Sequence, residues 1–327
     1  MTDLSIIIVN WNSTAYLEKC VESIYAHTHE ISFEIIVVDN ASPDGDVETV
    51  RDRFPDIILI QSSANLGFAR ANNLASHVSS GRYLVFLNPD TVLANSAFDF
   101  LLRRAALLPS VGAVGCKLLN RDRSIQISAI QTFPTILNQL LDLDILLTRF
   151  PECRLWNIAP LYANSSEPSR VEVISGACVM LERGVFAQIG QFSEEYFMYA
   201  EDLDLCRKAV QAGYTNYYIP QAQVIHYGGA SSVPSRAVVM KWKSILRYIE
   251  KYRGYRYHLA FRITMACGAL GRLAALSLWW TAVSAANSSD IPRGALLKWW
   301  LVLKTMIAGI ERNTQAEYLT TDRAQGR

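Results

Sequence analysis

Apolar positions along the first ninety residues switch between two periods. Ser5 to Val9 is an unbroken apolar run after its serine, as expected of a parallel strand covered on both faces. After Ser13, the residues Leu17, Cys20, Val21, Ile24 and Tyr25 return at helical spacing. Glu34 to Val38 reads as a second strand, Val47 to Phe54 as a short helix stopped by Pro55, and Ile57 to Ile60 as a third strand. Phe68 to Val78 is helical and ends before Gly81, and Tyr83 to Leu87 is a strand that delivers Asn88-Pro89-Asp90. This alternation predicts an α/β fold with a doubly wound sheet, whose ligands sit beyond the carboxyl ends of its strands.

The C-terminal third has a different pattern. Met240 to Tyr257 interleaves Lys243, Arg247 and Lys251 with Trp242, Ile245, Ile249 and Tyr252, which makes a basic amphipathic helix. Two apolar runs follow, Ile263 to Ala286 interrupted by Arg272, and Leu296 to Ile310 containing Lys298, Trp299, Trp300 and Lys304. The first exceeds the roughly 20 residues of a membrane span. Its arginine and small polar residues favour a helix lying in the membrane plane. A helical domain that makes a homodimer is the alternative.

Charge sharpens that division. Residues 1 to 235 hold 16 Lys and Arg against 25 Asp and Glu, whereas residues 236 to 312 hold 13 against 3. The expected domains are therefore an acidic body over 1–235, a basic, Trp-rich helical extension over 236–312 and a polar tail over 313–327. An anionic membrane surface suits the extension better than nucleic acid does. The length of 327 residues and an apolar content of 50% suffice for a large core. Cys20, Cys116, Cys153, Cys178, Cys206 and Cys267 are scattered without CxxC or Cys/His spacing, and read as reduced thiols of a cytosolic protein. The opening MTDLSIIIVNW has Asp3 and no basic residue before its apolar run, so it reads as a first strand and not a signal peptide.

Polar residues collect at the predicted strand ends: Asn10 after the first, Asp39 and Asn40 after the second, Asn88 and Asp90 after the fourth. Asn, Asp and Pro also end strands for local reasons, but their coincidence on one sheet edge points to a site. The stretch Asn65-Leu66-Gly67-Phe68-Ala69-Arg70-Ala71-Asn72-Asn73 adds a glycine at a helix start, with amide and guanidinium donors suited to phosphate or a base.

The ordered set IVNWN, IIVVDNAS, NLGFARANN, LVFLNPDT, ISGACVMLER, MYAEDLDLCRKAVQAGY and HYGG, over about residues 4 to 230, resembles the inverting family 2 glycosyltransferases of GT-A fold. The branch most resembled is the rhamnosyltransferase-like one that builds bacterial cell-surface polysaccharides. The resemblance implies a nucleotide-sugar donor, dTDP-L-rhamnose, and a glycan or lipid-linked acceptor at the cytoplasmic face of the bacterial membrane, with the protein peripheral there. It also implies a divalent cation, Mn²⁺ or Mg²⁺, because the diphosphate leaving group must be neutralised.

The same resemblance suggests residue roles. Asp90 is the metal-binding carboxylate; the wider family has Asp-x-Asp, and here Asn88 stands first and touches the donor. His226 is the second metal ligand, or a structural histidine at a strand end. Asp39 accepts hydrogen bonds from the donor base, or forms an Asx turn before Asn40, and Asn10 lies beside it on the next strand. Asn40, Asn65, Gly67, Arg70 and Asn72 complete the donor set. Asp202 is the base that takes the acceptor proton, with Glu201 as the alternative, since helical spacing turns the two about 100° apart. Asp204 is a first-turn acid able to pair with Lys208.

Residues 120 to 170 match no motif; such an insertion shapes the acceptor side or is a surface excursion. A dinucleotide-binding oxidoreductase would need GxGxxG where this chain has NWNST. A nucleotidylyltransferase would need a Gly-rich basic N-terminal loop, also missing. A non-catalytic sugar-nucleotide-binding or scaffold protein is the remaining competitor, and the intact Glu201-Asp202 pair argues against it.

Overall fold

A computed structural model describes residues 2–43, 46–141, 166–228, 234–284 and 293–310. The chain divides into two compact units, Met1–Phe133 with Phe150–Ser231, and Pro134–Arg149 with Ser232–Arg327.

The first unit alternates as the periodicity predicts. Its first half contains β1 (Leu4–Asn10), α1 (Thr14–His27), β2 (Phe33–Asp39), α2 (Val47–Arg53), β3 (Ile58–Gln61), α3 (Gly67–Val78), β4 (Tyr83–Leu87), β5 (Thr91–Leu93) and α4 (Ala97–Ala105). Then come β6 (Val111–Leu119), β7 (Ile130–Gln131), β8 (Ser169–Val171), β9 (Val173–Ile174), β10 (Cys178–Glu182), α6 (Arg183–Gln188), α7 (Glu201–Gln211) and β11 (Thr215–His226), with α5 (Ile136–Leu140) belonging to the second unit.

The main sheet runs β3-β2-β1-β4-β10-β6-β11-β5, with β8 added beside β11, while β7 and β9 form a separate antiparallel pair. Strands β1, β2, β3 and β4 are parallel, β10 runs against both β4 and β6, and β11 is parallel to β6. The sheet is therefore mixed. The carboxyl ends of β1, β2, β4, β6 and β11 share one edge with the amino end of β10. All of β1 and β4 is buried, which explains their continuous apolar reading.

An aromatic cluster supports the exit of β4. Phe86 lies 4.8 Å from Phe186 and 4.7 Å from Phe192 between ring centroids, and Phe68 lies 5.8 Å from Phe192. These tilted and edge-on contacts tie α3, α6 and the segment before α7 to the central strand.

Strand β11 carries an irregularity with a consequence for its end. Between Ile219↔Cys116 and Gln223↔Lys117, four steps along β11 oppose one along β6. Pro220 lies inside this bulge, and Asn95 closes it by donating to the Gln221 carbonyl at 2.8 Å and accepting from the Gln223 N–H at 3.0 Å. The strand then finishes with His226 opposite Thr91 of β5.

The second unit contains α5, α8 (Pro234–Ser284) and α9 (Arg293–Ala308). Helix α8 is interrupted by Gly254 at φ 77° and ψ 170°, so it is two helices, and the break falls within the stretch whose periodicity reads as one amphipathic helix. Trp242, Ile245 and Ile249 are buried, as the amphipathic reading predicts. Residues 313–327, Cys153 and most of the 120–170 insertion beyond α5 lie outside the described residues.

Candidate active site

The ends of β1 and β2 are locked together by side chains. Asn10 Nδ2 donates to Asp39 Oδ1 at 3.0 Å and to Ser42 Oγ at 3.2 Å, and Asn10 Oδ1 accepts from Ser13 Oγ at 3.1 Å. The Ser42 N–H, three residues on, reaches Asp39 Oδ2 at 3.3 Å, so the carboxylate also braces the turn that follows it. Both side chains are buried, and an Asn–Asp pair there fixes the carboxylate's direction.

Asn40, the next residue, holds the loop before α3. It donates to Asn65 Oδ1 at 2.9 Å and accepts from the Leu66 N–H at 2.8 Å, and Asn65 Oδ1 also accepts from the Gly67 N–H at 3.0 Å. Gly67 has φ +78°, and a Cβ there would stand 2.5 Å from the Phe197 carbonyl oxygen. That carbonyl accepts from the Phe68 N–H at 2.8 Å. The Phe68 amide at the start of α3 thus clamps the segment leading to α7.

Two further α3 side chains have partners within the chain. Asn72 Nδ2 donates to the Phe68 carbonyl at 2.9 Å from a buried position, and Arg70 pairs with Glu194 at 3.2 Å. The neighbouring Asn73 joins Phe192 at both ends of its amide, donating at 2.9 Å and accepting at 3.1 Å.

This clamp shapes the entry to α7. Tyr199 and Ala200 both have positive φ, 68° and 64°. Two consecutive left-handed residues other than glycine store about 1–3 kcal/mol each, and the held segment sustains them. They deliver Glu201 and Asp202 at the start of α7. Asp202 is half-buried, and backbone amides address both of its oxygens: Gly176 N–H to Oδ2 at 3.0 Å and Leu203 N–H to Oδ1 at 2.8 Å. Gly176 just precedes β10, so the sheet edge itself holds this carboxylate.

Glu201 is buried, its Oε2 has no hydrogen-bond partner, and burial, followed by the nearby Asp202 charge, raises its pKa well above the usual carboxyl range. Asp204 is fully buried, accepts from Ser193 Oγ at 2.6 Å and pairs with Lys208 at 3.4 Å, as its spacing predicts.

At the exit of β4, Asn88 N–H donates to the Ala177 carbonyl and Thr91 Oγ1 donates back to the Asn88 carbonyl at 2.7 Å, turning the chain sharply through Pro89. The Asp90 carbonyl accepts from the Tyr227 N–H at 2.9 Å. Asp90 Oδ1 therefore lies 3.3 Å from His226 Nε2, with Asn88 Nδ2 also 3.3 Å from that nitrogen.

Oxygen and nitrogen ligands held about 2.1–2.2 Å from one divalent ion at right angles stand about 3 Å apart, so this pair fits a shared cation. Among the described residues no group of three or more His, Cys, Asp or Glu converges. Cys20 lies beneath the turn, 3.5 Å from Thr91 Oγ1, its thiol pushed up to about 12 by burial. The five described cysteines are unpaired.

Sequence reading missed Asn73, Gly176 and Gln126; the last accepts from His226 Nδ1 at 2.7 Å. Asn73 stood beside Asn72 in the motif, but only the helix phase tells which of the two anchors Phe192. Gly176 belongs to ISGACVMLER and is useful only through its N–H. Nothing in the sequence marks Gln126.

Comparison with known proteins shows the family and the fold. A family model described as "Glycosyltransferase like family 2" matches residues 2–242. The N-acetylglucosaminyl-diphospho-decaprenol L-rhamnosyltransferase of Mycobacterium tuberculosis is 30% identical over 246 residues, 71% of this chain and 78% of that protein. Rhamnosyltransferase WbbL of Escherichia coli K12 is 24% identical over 259 residues, 76% of this chain and 93% of its own.

Two solved structures share the fold. GalNAc-T7 with UDP, GalNAc and Mn²⁺ superposes with a TM-score of 0.60 at 16% identity, covering 98% of this chain and 58% of its own. The mannosyltransferase PcManGT of Pyrobaculum calidifontis with GDP-Man and Mn²⁺ gives 0.57 at 17%, covering 94% and 89%. The chain belongs to glycosyltransferase-like family 2, in its rhamnosyltransferase-like branch, and is a glycosyltransferase of GT-A fold.

Proposed function

We propose that this enzyme transfers L-rhamnose from dTDP-L-rhamnose, with inversion, to a hydroxyl of a lipid-diphosphate-linked or cell-surface glycan. The observation that carries this reading is the Asp90–His226 pair at 3.3 Å, on the same sheet edge as the Asn10–Asp39 lock. Asp39 accepts from the donor's pyrimidine, with Asn10 fixing its direction. Asn40, Asn65 and Gly67 hold the loop beside the nucleoside; Arg70 and Asn72 belong to the same wall. Asp90 and His226 would hold Mn²⁺ or Mg²⁺ against the diphosphate, with Asn88 beside them. The bound cation supplies positive charge that stabilises the departing diphosphate. Asp202, held by the Gly176 and Leu203 amides, takes the proton of the attacking hydroxyl. The donor and acceptor follow the likeness to the two rhamnosyltransferases.

The test is a panel of nucleotide sugars incubated with the purified chain, Mn²⁺ and a polyprenyl-diphosphate-linked N-acetylglucosamine. Release of dTDP from dTDP-L-rhamnose, well above release from the UDP and GDP sugars, is expected. Preference for a UDP or GDP sugar overturns the donor assignment.

The helical unit suits a lipid-carried acceptor. In the second half of α8, Leu259, Ile263, Leu270 and Leu278 are exposed. The two arginines of residues 257–280 are engaged elsewhere: Arg262 on the Met306 and Ile307 carbonyls, Arg272 on the Leu140 carbonyl and 4.2 Å over the Trp299 ring. Their satisfaction leaves a charge-free exposed stripe, with Trp279, Trp280 and Trp300 also exposed, suited to a headgroup boundary. Among the described residues one helix, Ser235–Trp280, is long and apolar enough to cross a membrane. The part after the Gly254 break still has the length of a span, and it is Arg272 and the small polar residues within it that lead us to assign it to the inner membrane surface.

Co-sedimentation with phosphatidylglycerol vesicles is expected, weakened by salt through exposed Lys241, Arg253 and Arg256, and lost in Leu270→Glu with Leu278→Glu. A stable dimer that ignores vesicles restores the dimerisation reading.

A further inference from the structure

The orientation of His226 is fixed by groups outside the metal pair. Its Nδ1 faces Gln126 Oε1 at 2.7 Å, and the Gln126 amide cannot be reversed. Gln126 Nε2 donates to Asn120 Oδ1 at 3.1 Å and to the His226 carbonyl at 3.2 Å; turned over, its oxygen would meet two acceptors. Asn120 is fixed in turn, because its Nδ2 donates to Ser124 Oγ at 2.9 Å and to the Ile125 carbonyl at 3.4 Å. Ser124 Oγ then donates to Asp122 Oδ1 at 2.6 Å. The hydrogens thus run one way, from His226 through Gln126, Asn120 and Ser124 to the Asp122 carboxylate.

A tight turn supplies this chain. At the end of β6, Asn120 N–H donates to the Ser124 carbonyl at 2.8 Å and Arg123 adopts φ 65°, so the backbone reverses and Gln126 N–H donates to the Leu118 carbonyl at 2.9 Å. Leu119 pairs in parallel with Ile225, which sets the returning Gln126 at the level of His226.

We propose that Gln126 is a positioning residue for the cation site: it holds His226 as the Nδ1–H tautomer, so that Nε2 offers its lone pair to a divalent cation shared with Asp90. The idea rests on the metal reading above. A histidine ligand whose other nitrogen is so held keeps ring direction and basicity, and loss of the partner typically weakens metal binding about 10- to 100-fold. An aligned row of donors ending in a carboxylate strengthens each member.

Mn²⁺ titrated into the whole 327-residue chain with dTDP tests this, free ion being read from its EPR signal and bound imidazole nitrogen from electron spin-echo modulation. Gln126→Leu, of similar size without an acceptor, is expected to bind Mn²⁺ about 10- to 100-fold more weakly, with the nitrogen modulation reduced. Gln126→Glu keeps an oxygen opposite Nδ1 but turns its second oxygen onto Asn120 Oδ1 and the His226 carbonyl, so it is expected to recover both only in part, binding Mn²⁺ more tightly than the Leu variant. Wild-type Mn²⁺ affinity and modulation in Gln126→Leu overturn the proposal. So does a Glu variant as weak as the Leu variant with both melting earlier, which marks a merely structural contact. Wild-type protein without nitrogen modulation, binding Mn²⁺ no better than Asp90→Ala does, removes the metal reading and this inference together.

Discussion

Asp202→Asn is expected to bind donor nearly as well as the wild type and to transfer sugar at least roughly 100-fold more slowly, because Asn keeps the shape and cannot take a proton. Glu201→Gln is expected to keep most of the rate. The two carboxyls are neighbours in sequence and opposites in environment. Asp202 is half-buried with an amide on each oxygen, and Glu201 is buried with one oxygen unpartnered. A charged carboxylate in the second setting would lack compensation, and burial, followed by the nearby Asp202 charge, raises the Glu201 pKa well above the usual carboxyl range, which disfavours its charged form.

The two variants also differ in stability against pH. A carboxyl whose folded pKa is raised contributes fully below its unfolded value, near 4.5, and loses that contribution as pH climbs through the folded value. Glu201→Gln should therefore melt as the wild type does at low pH and progressively later than it as pH rises. Thermal melts from pH 4 to pH 9 with single-turnover transfer assays separate the pair. An active Asp202→Asn beside a dead Glu201→Gln would reverse the assignment.

The parts of this fold legible in the sequence are those set by local pattern. The boundaries of β4 and the end of α3 agree with the apolar periodicity, and β1, α1, β2, α2 and β3 agree to within one or two residues. Buried parallel strands must be continuously apolar, and Pro55 and Gly81 end what precedes them for backbone reasons. The strand-end residues were legible for the same reason, since a doubly wound sheet gathers the carboxyl ends of its parallel strands on one edge.

The connections across that edge were not legible. Gln126 reaches His226 only because the register of β6 on β11 sets their levels, and register depends on a bulge at Pro220 that no periodicity announces. Gly176 supports Asp202 through an N–H every residue except proline has. The clamp of α3 on Phe197 required knowing which amides of a helix start are already taken. Residue type marks a reacting group well and a supporting group poorly, because support is a matter of orientation.

Asp90→Ala is expected to abolish transfer, and excess EDTA should do the same to the wild type, with Mn²⁺ or Mg²⁺ restoring it. Asn88 stands where the wider family has a second carboxylate, so Asp90 is the one charged oxygen the β4 exit offers. Its backbone is held independently of the side chain, through the Tyr227 N–H on its carbonyl and the Thr91 hydroxyl on the Asn88 carbonyl. The variant should therefore fold and lose function for an electrostatic reason. Neutralising the charge that develops as a sugar–diphosphate bond breaks is worth several kcal/mol, and each 1.4 kcal/mol is about tenfold in rate, so its loss leaves turnover near background. His226→Ala removes a neutral ligand and should be milder, raising the Mn²⁺ concentration needed for half-maximal rate while sparing the rate at saturation. The measurement is nucleoside diphosphate release against added metal for the three proteins, with donor binding followed separately. Full wild-type activity in excess EDTA removes the cation from the mechanism, and an unchanged metal titration in His226→Ala makes that histidine structural.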